Sequence, residues 1–213
     1  MEKKSDLPVL IGLCGRSGSG KGVVSSFFRE FGIPSVDTDK IYHEMTGPRP
    51  EGEGRSPVME RIVKRFGTGV ENPDGSLNRK ALAGIVFGDG GEAALSDLNG
   101  ITHRAILGEA ERRAAALRKE GHGIVIIDAP LLFESGYDKR VDMIIAASAP
   151  AEVLTRRIAE RDGISRAAAR RRLATQKRIK KSEVDAVIDT HRSFDEIRES
   201  VRTMAAEIKE RFR

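Results

Sequence analysis

The chain has 213 residues, 39% of them hydrophobic and 32% charged with both signs mixed, a balance that supports one core with a modest insertion and excludes global disorder. Its single cysteine, Cys14, excludes an internal disulfide, and no apolar stretch reaches the ~20 residues of a bilayer-spanning helix. The formal charge is +5, and the excess is local: residues 156–181 hold eleven Lys or Arg against two Asp or Glu, while the rest of the chain holds 26 basic and 30 acidic residues. Such a segment suits a polyanion, whether a triphosphate, a nucleic acid or a membrane surface. With no secretory pattern at the start, the expected compartment is reducing and cytoplasmic.

In chain order, residues 7–13 predict a buried strand, and Val23, Val24, Phe27, Phe28 and Phe31 then fall on one helical stripe that Gly32 ends. Residues 33–37 predict a short second strand, with Thr38 or Asp39 capping the next helix, which completes a β-α-β opening. Residues 47–57, GPRPEGEGRSP, read as a loop, and helices are predicted over 58–66, 77–87 and 92–119 with a turn at 72–75. The run IVIID at 124–128 predicts a central strand buried on both faces. A strand over 141–147, a helix over 150–161, the basic stretch, a short apolar run at 184–188 and an amphipathic helix over 194–212 complete the chain. Strands alternating with helices predict an α/β doubly wound parallel sheet of about five strands.

Residues 15–21, GRSGSGK, match the phosphate-loop pattern G-x-x-x-x-G-K between the first strand and the first helix. The glycines let backbone N–H groups turn inward, the helix start adds partial positive charge, and Lys21 reaches the outer phosphates. Ser17, Gly18, Ser19, Gly20, Lys21 and Gly22 are therefore the candidate phosphate contacts. Position 22 departs from the usual Ser or Thr, whose hydroxyl helps hold Mg²⁺, so no hydroxyl is supplied there.

Four further blocks carry a resemblance. Val36, Asp37, Thr38 and Asp39 form an Asp-x-Asp at a strand end. Phe66 and Gly67 precede the run 74–79, DGSLNR, then Leu82, Val86 and Phe87. Asp128 opens DAPLLFE at 128–134, and Arg157, Arg161 and Asp162 precede Gln176. In this order the blocks resemble the dephospho-coenzyme A kinases over residues 10–189. The resemblance implies a P-loop NTP hydrolase fold with a kinase core at 1–46 and 121–213, a helical acceptor-binding domain at 47–120, and a basic helical lid at about 162–182. It implies transfer of the γ-phosphoryl of ATP to the ribose 3′-hydroxyl of dephospho-coenzyme A, the last step of coenzyme A synthesis, with Mg²⁺. Asp39 is the implied base, with Lys21, Arg157 and Arg161 on the phosphates. Asp128 is the implied metal carboxylate, acting through water. Arg79, His103, Pro130, Leu131 and Leu132 are the implied acceptor contacts.

Physical reasoning supports part of this set. Asp39 follows a strand's C-terminal end, where ligands bind in open α/β sheets, although capping a helix is its alternative role. Arg157 and Arg161 share a helix face. Pro130, Leu131 and Leu132 are equally compatible with core positions. The expected partners are small molecules, with no nucleic acid, because residues 165–181 contain no aromatic side chain for base stacking. No membrane partner is expected, and the expected state is a monomer or small homo-oligomer. His43, His103, His122 and His191 show no metal-ligand spacing, and Cys14 reads as a small core residue. The sequence departs from the resembled pattern at Gly22, at Arg104 where Pro usually follows His, and at Thr190 where Asn is usual. Two alternatives stay open: a nucleoside-monophosphate kinase, and an inactive nucleotide-binding protein on the same fold.

Overall fold

The computed structural model describes residues 7–50 and 52–213; the first six residues of the expected core, and residue 51 of the expected loop, lie outside that range. The elements run β1 (Val9–Cys14), α1 (Lys21–Glu30), β2 (Ser35–Asp37), α2 (Thr38–Thr46), α3 (Pro57–Phe66), α4 (Arg79–Val86), α5 (Glu92–Lys119), β3 (Ile124–Asp128), β4 (Met143–Ser148), α6 (Ala151–Asp162), α7 (Arg166–Ala174), β5 (Ala186–Asp189) and α8 (Phe194–Arg211). The strands form one sheet in the order β2-β3-β1-β4-β5, and every neighbouring pair is parallel. This is the predicted α/β architecture.

Two strands begin later than their apolar runs suggest. Asp142 accepts from Leu10 N–H at 2.9 Å, and Asp185 accepts from Ile144 N–H at 2.7 Å. Each carboxylate takes the ladder position that a backbone carbonyl would otherwise fill, so β4 and β5 start one residue beyond it.

Contacts divide the chain into two compact units. One comprises the residues up to Asp37 with Glu111–Arg213, the other Thr38–Ala110. In the sheet unit, Ile11, Leu13, Ile126 and Ile145 pack with Val24 and Phe28 of α1 and with Ile197, Val201 and Ile208 of α8. Burial of such side chains contributes roughly 1.5–3 kcal/mol each. Ser193 and Glu196 close a reciprocal capping box that starts α8.

The helical unit has its own cluster, with Val58, Met59, Ile62, Val70, Leu77, Leu82 and Val86 at its centre. Ser56 caps α3 ahead of Pro57, and Asn78 caps α4, so the predicted helix from residue 77 starts at Arg79. The turn at 72–75 is closed by Gly75 N–H donating to Asn72 O, beside a bridge between Glu71 and Leu77. The unit begins and ends earlier than the expected 47 and 120. Tyr42 and Met45 of α2 pack on its cluster, while Glu111 of α5 pairs with Arg140 of the sheet unit.

Candidate active site

The phosphate loop joins β1 to α1 across residues 15–20. Gly18 and Gly20 adopt φ of +77° and +76°, which side chains rarely tolerate. A Cβ on Gly18 would also lie 2.8 Å from the Leu154 carbonyl oxygen, so the loop sits against α6 with no room for a side chain. Gly20 caps α1 without a side-chain acceptor, and the first helical amides carry the positive end of the macrodipole. Gly22 is exposed on the first turn, and a Cβ there would meet nothing within 4 Å.

Lys21 Nζ pairs with Asp128 Oδ1, with side chains only 16% and 5% exposed. The parallel register sets Asp128 beside Leu13 of β1 on one flank and Asp37 of β2 on the other. All three residues end, or nearly end, their strands, so the carboxylates collect at the edge from which the loop departs.

On the other flank, α6 supplies two arginines. Arg157 donates through Nη1 to the Gly18 carbonyl at 3.2 Å and through Nη2 to the Thr190 carbonyl at 2.7 Å. Arg161 donates to Ser17 Oγ at 3.3 Å and is held by Asp162. The hydrogen bonds from Arg161 draw the Asp162 carboxyl below its usual range. The basic stretch forms α7, capped by Ser165, and Ala169 and Leu173 pack against Leu154 and Ile158 of α6. It reaches the loop at two points: Arg16 donates to the Leu173 carbonyl, and Gln176 Oε1 accepts from Ser17 N–H at 2.9 Å.

A cavity of about 450 Å³ adjoins the loop here, lined by Arg16, Ser19, Ser148, Arg178, Lys180 and Lys181. Burial and then the neighbouring Arg178 charge lower the Arg16 pKa. The Ser19 hydroxyl is buried beside it without a hydrogen-bond partner.

Among the implied acceptor residues, Arg79 pairs with His43 and lies 5.7 Å over the Tyr42 ring within the helical unit. His103 is half-buried on α5, which is uninterrupted past the exposed Arg104, as expected without the usual proline. Asp39 lies in the first turn of α2, two residues after β2 ends. Pro130 is half-buried and Leu131 is 51% exposed. Leu132 corrects the expectation: it is fully buried, and a Cβ on Gly12 would lie 2.9 Å from it, so it packs beneath β1 and is no acceptor wall.

The family model for dephospho-CoA kinase matches residues 9–196. The chain belongs to the dephospho-CoA kinase family. A dephospho-CoA kinase of Symbiobacterium thermophilum is 40% identical over 194 residues, 90% of this chain and 78% of the relative. One from Syntrophotalea carbinolica is 38% identical over 94% of this chain and 92% of its own. The crystal structure of TT1252 from Thermus thermophilus superposes with a TM-score of 0.74 at 27% identity, covering 94% of this chain and 98% of that one.

Within this dephospho-CoA kinase family member, the loop residues Ser17 to Gly22, Lys21, Asp128, Arg157 and Arg161 come together in one unit. Sequence reasoning missed the Arg16 contact to α7 and the hydrogen bonds of Thr190. Arg16 occupies a variable position of the loop pattern. Thr190 stood out only as a departure, and its contacts reach residues as far away in sequence as Ser19.

Proposed function

We propose that this chain transfers the γ-phosphoryl group of ATP to the ribose 3′-hydroxyl of dephospho-coenzyme A, giving coenzyme A and ADP. The observation that carries the proposal is the glycine-lined loop at the head of α1, with Lys21 and Asp128 together beside it, in a member of this family. Loop amides, Lys21, Arg157 and Arg161 steady the triphosphate, since phosphoryl transfer depends mostly on positioning and charge neutralisation. Asp39 accepts the proton of the 3′-hydroxyl as its oxygen attacks the γ-phosphorus. The bond from that phosphorus to the β–γ bridging oxygen breaks, and ADP leaves. The support for Asp39 is its position just past a strand end, on the edge where such sheets bind ligands. Arg79, His103, Pro130 and Leu131 contact the acceptor, and the lid at 162–182 excludes water during transfer.

Magnesium fits as an ion that arrives with the nucleotide. Among the described residues no three His, Cys, Asp or Glu side chains gather to hold a metal, and Asp128 is the carboxylate nearest the loop lysine. Open space at Gly22 leaves room for a water where a hydroxyl usually stands. Asp128 would hold the ion through water, and the ion supplies charge neutralisation at the phosphates. No described helix is long and apolar enough to cross a membrane, and the enzyme is read as a cytoplasmic monomer or small homo-oligomer.

The test is ADP release across an acceptor panel of dephospho-coenzyme A, AMP and CMP. Release matched one to one by phosphorylated dephospho-coenzyme A is expected. Faster turnover of AMP or CMP, or none with any acceptor, would overturn the proposal.

A further inference from the structure

Thr190 follows β5 directly and is 1% exposed. Its backbone N–H donates to the Ser148 carbonyl at 2.8 Å, which fixes it to the end of β4. The hydroxyl donates to the Ser19 carbonyl at 2.7 Å, with the Ser148 carbonyl a longer second acceptor at 3.1 Å. That hydroxyl also accepts from Arg157 Nη1 at 3.2 Å, while the Thr190 carbonyl accepts from Arg157 Nη2 at 2.7 Å. A Cβ on Gly20 would lie 3.3 Å from Thr190 Cβ, so the loop rests on this side chain. One residue thus joins the ends of two strands, the phosphate loop and the arginine of α6.

The peptide geometry says what the contact does. In a trans peptide the carbonyl and the following N–H point in opposite directions. No peptide among the described residues is cis, so holding the Ser19 oxygen on Thr190 turns the Gly20 N–H away from Thr190. The same hydroxyl fixes Arg157, whose Nη1 also holds the Gly18 carbonyl. We propose that Thr190 is a positioning residue that sets the Gly20 amide and Arg157 for the nucleotide's phosphates. This rests on the loop being the ATP site and deepens that reading. A residue that counts in the sequence as a departure is therefore part of the binding apparatus.

The test compares Thr190→Val, which keeps the shape and removes the hydroxyl, with Thr190→Ser, which keeps the hydroxyl. A hydrogen-bond set that includes a charged donor supports about a tenfold effect. Thr190→Val is expected to raise the KM for ATP about tenfold with the KM for dephospho-coenzyme A unchanged, and Thr190→Ser to recover most of the loss. Direct titration of each purified variant with an ATP analogue reads the same effect without an acceptor. It therefore separates failure of this proposal from failure of the acceptor assignment. If Thr190→Val does not fold, Thr190→Ala takes its place against Thr190→Ser. Equal rises in both KM values, an unchanged ATP affinity, or a serine variant as impaired as the valine variant would overturn the proposal.

Discussion

Removing the loop lysine should destabilise the fold as well as abolish turnover. Lys21 neutralises a carboxylate whose side chain is 5% exposed, and is itself 16% exposed. Breaking a buried ion pair by deleting one partner costs about 3–5 kcal/mol, because the other charge stays behind uncompensated. Asp128 makes a further interaction, so the lower end is expected, about 3 kcal/mol. For a chain of this size each kcal/mol moves Tm by roughly 2–4 °C, so Lys21→Met should melt about 6–12 °C lower. Asp128→Asn in the Lys21→Met background removes the stranded charge and should restore most of the Tm. Turnover should stay lost in the double variant, because the phosphates still lack their cation. Thermal unfolding of the four proteins closes the double-mutant cycle, and ADP release reads activity beside it. Additive losses of Tm, with the double variant the least stable, would refute the reasoning.

Asp39→Asn should lower kcat by about 10²–10⁴, the usual contribution of a general base, with ATP affinity unchanged in a direct titration. Tyr137 is fully buried beside Glu111, and burial first, then the Glu111 charge, raises its pKa. Tyr137→Phe removes the hydroxyl that faces the buried Glu111 carboxylate and should lower Tm by about 2–4 °C, whereas an unchanged or raised Tm in a melting curve would show that the hydroxyl is unsatisfied. Burial pushes the Cys14 thiol up to about 12 from 9.0. The native thiol should resist iodoacetamide at pH 8, as followed by mass spectrometry. The same shift stabilises the fold below pH 9, and that contribution falls as pH rises toward 12, where the folded thiol also ionises.

Local signals carried much of the architecture. The loop pattern, the helical stripe of Val24, Phe27 and Phe28, and the β-branched run at 124–128 each sit within a few residues of one another, so periodicity exposes them. Strand starts at β4 and β5 were obscured because Asp142 and Asp185 act through side chains on a neighbouring strand. Leu132 illustrates a different limit. An apolar residue after a strand fits both a ligand wall and a core, and only the close approach to Gly12 decides between them. Thr190 was invisible as a working residue because its partners are Ser19, Ser148 and Arg157, none of them near in sequence.

The most direct measurement is the position of the phosphate on the product formed from ATP and dephospho-coenzyme A, read by phosphorus–proton coupling in NMR. Coupling of the new phosphorus to the ribose H3′, in amounts equal to the ADP formed, is the predicted result. Coupling to H2′, or ADP formed with no phosphorylated acceptor, would contradict an acid that readies the 3′-hydroxyl beside a loop-bound triphosphate.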